Sequence, residues 1–340
     1  MSELKIELPA PIRGRLQILD EYKGFAIIMV VLYHVCGVLN LPNWLHGDLG
    51  VDIFVILSGL GLALSSKTEP AAVFFRNRLL RIFPTYWLVL TVYVLCNNHF
   101  LQHNYTATNI ILHYTGFHGL FGDGYALSIN DSFWFITLLV TLYLVFVAVR
   151  GLRDDMGRLL FVSAAFSWAF AYAMLVSERP GSFGHLALRV PGFFAGFVIG
   201  QLLREGRLTI KLGWPFCVAV LLFCYLPFLQ GFTFLSPVVA LAVMGGYLFL
   251  WKRFAPAGVE TRVNRVLVFA GNHSLEIFLI HQPLIREYNH YLHGRWFNIP
   301  APGTFSLIVG ILAGLALTLF LSVELKPLIA RLLPQGKPTA

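Results

Sequence analysis

Four ionisable side chains stand inside apolar sequence: His34, Asp52, Glu276 and His281. Titratable groups within membrane-length apolar segments are expensive, and their default reading is function. Lys23 opens the apolar run that carries His34. Eleven residues at about 100° each complete three turns plus roughly 20°, so the two share one helix face some 16 Å apart along the axis. A cation then lies at one membrane surface and an imidazole near mid-membrane. An imidazole so placed suits proton removal near neutral pH; the bland alternative is a snorkelling lysine and a His bonded to a neighbouring helix. Asp52 follows Gly50-Val51 at the start of a second apolar run. Counted back across a short turn it falls near Gly37 or His34, where a carboxylate would orient an imidazole; otherwise it is a carboxylate favoured by the helix dipole. Arg76, Arg78 and Arg81 precede a third run. Arg78 and Arg81 share a face, and guanidinium forks bind phosphate, although such residues also set topology. Glu276 and His281 fall in a late run, where a structural interhelical bond competes with a chemical role.

The elements that must carry these groups read as membrane helices. The chain is 57% hydrophobic and only 12% charged, against roughly a quarter charged in a soluble domain. The expected fold class is an all-α integral membrane protein, a bundle of about ten transmembrane helices. The expected spans are 24–41, 49–66, 82–101, 132–149, 159–176, 187–203, 212–230, 232–251, 265–284 and 304–325. With both termini cytoplasmic, this parse puts 21 of the 25 Lys and Arg on the inner side, as the positive-inside rule asks. The net charge of +8 is therefore topogenic and not a nucleic-acid surface. Residues 1–22 are polar and mixed in charge and do not read as a signal peptide. Residues 1–22 are expected as a cytoplasmic segment, 23–333 as the transmembrane domain and 334–340 as a cytoplasmic tail. The segment from about His103 to Asp131 is the longest outside the spans and is expected to dip partly into the membrane. Cys36, Cys96, Cys217 and Cys224 show neither metal nor disulfide spacing.

Four stretches together resemble the acyltransferase-3 family of membrane acyltransferases. They are Leu19-Asp20-Glu21-Tyr22-Lys23-Gly24 continuing to Tyr33-His34-Val35; Gly50-Val51-Asp52-Ile53-Phe54-Val55-Ile56-Leu57-Ser58-Gly59; Phe75-Arg76-Asn77-Arg78-Leu79-Leu80-Arg81-Ile82-Phe83-Pro84-Thr85-Tyr86-Trp87; and Ser274 to Pro283. Trp134-Phe135 followed by Tyr143 is a weaker echo. The resemblance runs from about residue 15 to 330. It departs at Lys23, where Arg is common, at Leu275 and Phe278, where aromatic and Tyr residues are frequent, and at Glu276. Many relatives carry a further extracytoplasmic hydrolase-like domain, which is not expected here.

The resemblance implies transfer of an acyl group, usually acetyl, from acyl-CoA to a hydroxyl of a surface glycan or glycolipid. The setting it implies is a bacterial-type cytoplasmic (inner) membrane. It implies a catalytic set of His34, as general base or nucleophile, with Lys23, Asp52 and Glu276. Arg76, Arg78 and Arg81 would meet the donor phosphates, and His281, Ser58 and Trp134 would serve the acceptor or the structure. Acyl-CoA is a co-substrate, and no resident cofactor, metal or nucleic-acid partner is expected; the bilayer is the solvent. A proton-coupled secondary transporter is the alternative from another class, since Pro-broken helices with His and Glu inside would fit one.

Overall fold

A computed structural model describes residues 17–42, 47–65, 69–100, 102–152, 155–176, 186–207, 236–254, 261–286 and 304–332. Every regular element among them is helical. In chain order they are α1 (Gln17–Val38), α2 (Leu49–Leu64), α3 (Ala71–Phe100), α4 (Ala107–Thr115), α5 (Asp123–Ala126), α6 (Trp134–Val149), α7 (Met156–Val176), α8 (Val190–Arg204), α9 (Ser236–Phe254), α10 (Arg262–Asn272), α11 (Ser274–Ile285) and α12 (Thr304–Leu332).

The all-helical reading holds, but the ten-span bundle does not. Among the described residues four helical segments are long and apolar enough to cross a membrane: Gln17–Val38, Ala71–Phe100, Trp134–Leu152 and Phe305–Arg331. For α2 the reason is length. At about 1.5 Å per residue the 16 residues of α2 reach roughly 24 Å, short of an apolar thickness of ~30 Å. The span expected at 265–284 is broken at His273, whose backbone (φ −108°, ψ 14°) leaves the helical path and separates α10 from α11. The span expected at 212–230 lies outside the described residues. The count of Lys and Arg by side assumed ten spans, so the placement of both termini goes with it.

The chain divides into two compact units. The first comprises residues 1–30, 44–68 and 141–272. Its core joins Tyr22, Ala26 and Met29 of α1 to Ile53, Ile56 and Leu57 of α2 and to Val239, Ala240 and Met244 of α9. Close helix approach here depends on missing side chains. A Cβ on Gly59 of α2 would lie 2.1 Å from the Phe193 carbonyl oxygen, and one on Gly196 of α8 would lie 2.0 Å from that of Ile56. Small residues that let backbones meet are the membrane solution to helix packing. The Tyr22 hydroxyl donates to the Met244 carbonyl at 2.9 Å, and Asn264 donates to Glu21 at 2.9 Å.

The second unit comprises residues 31–43, 69–140 and 273–340. Pro84 sits inside the 30-residue α3, where its ring removes a backbone donor. Side chains beyond it hold α4: Tyr86 Oη donates to the His113 carbonyl at 3.0 Å and Trp87 Nε1 to that of Tyr114 at 2.8 Å. Tyr93 Oη donates to the Ile280 carbonyl at 3.0 Å, which ties α3 to α11. Against α11 lies α12, with Gly314 at the crossing, where a Cβ would come within 2.6 Å of the Leu284 carbonyl oxygen.

Candidate active site

The second unit brings together two of the expected residues, His34 from the last turns of α1 and His281 from α11. Their ring centroids are 5.0 Å apart. His34 is partly buried and also meets the Tyr33 ring edge-on at 5.1 Å. His281 is fully buried. Its Nδ1 lies 2.9 Å from the Ile277 carbonyl and 3.0 Å from that of Phe278. A carbonyl can only accept, so Nδ1 carries the proton and Nε2 keeps its lone pair. That Nε2 is buried with no hydrogen-bond partner among the described residues. Phe278 packs on Phe135 at 4.6 Å and on His281 at 6.0 Å, walling the imidazole with aromatic rings.

One residue past His281 a polar chain begins. The Ser132 hydroxyl donates to Gln282 Oε1 over a short contact. Gln282 Nε2 donates to Asp131 Oδ2 at 3.3 Å, and Arg286 Nη1 donates to the same oxygen at 2.7 Å. Ser132 and Gln282 are buried, while Asp131 and Arg286 are partly open. Arg286 lies within electrostatic reach of His34. This chain was not anticipated. Its signals were Asp131-Ser132 directly before Trp134 and the Gln and Arg flanking the late Pro283, each unremarkable until the helices meet.

The other expected residues have these places. Lys23 bonds Asp20 one turn earlier, at 3.2 Å. Asp52 is buried in α2, with one carboxylate oxygen 3.9 Å from Nε of the buried Arg189. Asp52 belongs to the first compact unit and His34 to the second. The count back from Asp52 assumed a short turn. In the structure α1 runs to Val38, and Gly50, two residues before Asp52, packs against Ala26 and Val30. Arg189 as the partner of Asp52 could not be read from spacing, since 137 residues separate them. Glu276 is buried in α11 at 7% exposure. Ser58 donates to the Phe54 carbonyl of its own helix at 2.9 Å, the usual recourse of a hydroxyl inside a helix. Arg76 and Arg81 of α3 are exposed, whereas Arg78 is partly buried with its guanidinium 5.5 Å above the Phe74 ring. Trp134 begins α6 and is partly buried, its ring 6.4 Å from that of Phe135.

Fold and site thus define a membrane-embedded all-helical protein with a paired imidazole among apolar helices. The chain belongs to the acyltransferase-3 family: the family model, described as an acyltransferase domain, matches residues 17–326. It is also similar to the protein named "Putative acetyltransferase ORF330" of Acidianus two-tailed virus, at 28% identity over 177 residues. That match covers 51% of this chain and 52% of the relative, so the chain spans about half the length of the curated relative it matches. No solved structure matches the chain.

Proposed function

We propose that this protein is a membrane O-acyltransferase that moves an acyl group, acetyl in the first instance, from acyl-CoA to a hydroxyl of a surface glycan or glycolipid. The observation that carries the reading is the 5.0 Å approach of His34 to His281. With the His281 proton committed to helix carbonyls, its Nε2 is a ready acceptor for an N–H of His34. A bond there leaves the other His34 nitrogen with a lone pair, the arrangement in which a neighbour fixes the tautomer of a catalytic imidazole. His34 then takes the hydroxyl proton as the acceptor oxygen attacks the thioester carbonyl. The new C–O bond forms, the C–S bond breaks, and the proton passes from His34 to the CoA thiolate. A covalent route uses the same nitrogen: it attacks the thioester, CoA leaves, and the hydroxyl then takes the acyl group from the imidazole. Arg76, Arg78 and Arg81 supply cations for the donor phosphates. Glu276 is the carboxylate assigned to the charge balance of the site, and Trp134 lines or braces it. Family membership and the name of the viral relative support acyl transfer and acetyl as the group; a bacterial-type cytoplasmic membrane is the setting proposed.

The test uses the full chain in lipid nanodiscs with acetyl-CoA, reading free CoA with a thiol reagent. His34→Gln keeps polarity but cannot cycle a proton near neutral pH. It should lose roughly 10²–10⁴-fold in rate while still accumulating as folded protein. His281→Gln should lose less, since it only orients. Folded His34→Gln with near-normal turnover would refute the catalytic assignment.

A further inference from the structure

Two details of the polar chain beside His281 bear on the acceptor. Both hydrogen bonds that Asp131 accepts fall on Oδ2, from Gln282 and from Arg286. Oδ1 of a side chain that is 39% exposed is left open. Arg286, 51% exposed, uses Nη1 alone in this contact, so the rest of a five-donor fork remains available. An open carboxylate oxygen and an open guanidinium edge therefore stand side by side. Asp131 is joined to the buried Gln282, which follows His281 in α11 and accepts from the buried Ser132. The fully buried His281 Nε2 has no hydrogen-bond partner among the described residues, and Arg286 lies within electrostatic reach of His34.

From these contacts we propose that Asp131, Arg286, Gln282 and Ser132 form the acceptor subsite, and that the group they grip is a pair of neighbouring hydroxyls on a sugar or other polyol. The inference rests on the acyltransferase reading above and names the acceptor chemistry for that same site. A carboxylate accepts from two hydroxyls and a guanidinium donates to their oxygens, so the pair matches a vicinal diol and gains nothing extra from a lone alcohol. Charge-assisted bonds of this kind are about twice as strong as neutral ones. The open ion pair lets a bulky acceptor remain largely outside while one hydroxyl reaches inward. The buried Gln282 and Ser132 continue the polar path to the imidazoles. The hydroxyl that meets His34 gives up its proton there, its oxygen takes the acyl carbon, and the thiolate departs as CoA.

The experiment measures CoA release from acetyl-CoA by the full chain in nanodiscs. The probes are methyl hexosides and glycerol, set against monohydric alcohols of matched carbon number. The diols should accelerate release saturably and the monohydric alcohols should not. Asp131→Asn and Arg286→Gln should each raise the diol KM about tenfold while the acetyl-CoA KM stays within twofold. The exchanged pair D131R/R286D rebuilds the ion pair with its poles reversed and should stay impaired. Recovery of the diol KM in D131R/R286D would show the pair to be only a brace and overturn the subsite. Equal acceleration by alcohols and diols, or by no diol, overturns the diol assignment. Should D131N not accumulate, Asp131→Glu keeps the ion pair, displaces the open oxygen and reads the same KM. Wild-type protein that releases no CoA with any acceptor or with water sinks the acyltransferase reading itself, a result distinct from the others.

Discussion

Among the described residues of the second unit imidazoles meet twice, and the two pairs differ in what surrounds them. His281 is followed in sequence by Gln282, a member of the partly open polar chain. His113 and His118 are sealed: both are 0% exposed, and their rings stack at 4.0 Å with only 9° between planes. Gly116 makes the stack by ending α4 in the left-handed region (φ 78°), which turns the chain back on itself. The Gly119 amide then donates to Thr137 Oγ1 at 3.0 Å and fixes the return. His113 Nδ1 donates to the Asn109 carbonyl at 2.8 Å. Burial holds His113 down to about 4; burial, with the neighbouring His113, holds His118 down to about 3. Unfolded rings titrate near 6.5, so below that pH the unfolded chain binds more protons than the folded one. The stack thus contributes its full stability above about pH 6.5 and loses it as pH falls toward 4 and 3, at most roughly 3 kcal/mol for His113 and roughly 5 kcal/mol for His118. Thermal unfolding in nanodiscs should show a midpoint that is flat from pH 8 to 7 and falls steadily from 6 to 4. His118→Asn should flatten that fall; an unchanged slope would show that other groups set it. Of these four residues the sequence singled out His34 and His281, because both interrupt apolar runs. The stacked pair lies in a segment of mixed polarity, where two more histidines carry no signal until Gly116 folds the loop.

At the scale of elements, helix positions were largely readable from hydrophobic runs, and helix crossings were not. Runs near 24, 49, 132, 187 and 304 all became helices, with ends shifted by up to seven residues. What decided the packing was which glycines face a neighbour. Gly59 and Gly61 are two residues apart on α2, yet a Cβ on the first meets the Phe193 backbone and one on the second meets nothing within 4 Å. Gly59→Ala should therefore cost about 1–3 kcal/mol through forced separation of α2 from α8. Gly61→Ala should be neutral or slightly stabilising, since alanine is the better helix former. Denaturation of both variants in one mild detergent checks this, and equal effects would refute the crossing. The same element view separates the arginines of α3. Arg81 is exposed and free to meet phosphate, while Arg78 already spends its guanidinium on Phe74. Arg81→Ala should raise the acetyl-CoA KM several-fold with little change in kcat. Arg78→Ala should also lower thermal stability, through loss of packing as well as charge.

For the whole molecule, composition announced a membrane protein but not how many helices cross. Apolar content is shared by a spanning helix and by a shorter one buried among its neighbours; only length tells them apart. α11 shows the difference. Its 12 residues reach roughly 18 Å, and seven consecutive residues from Ile277 to Pro283 are buried, so it is shielded by protein along that stretch. α12 is the opposite case, with only 22% of its apolar window buried and Phe305, Leu312 and Phe320 each at least 60% exposed. Such a surface needs lipid, and Phe305 to Lys326 spans about 32 Å at 1.5 Å per residue. Single cysteines at these two positions, in a background with Cys36, Cys96, Cys217 and Cys224 replaced by serine, give a direct measurement. A membrane-impermeant maleimide added to sealed vesicles of one orientation should label Phe305→Cys or Lys326→Cys, but not both. The unlabelled position should react once the vesicles are opened. Labelling of both from the same side would mean that α12 lies along the membrane instead of crossing it. Its exposed leucines and phenylalanines would then have to be covered by another copy of the chain, which crosslinking of Leu312→Cys between chains would detect.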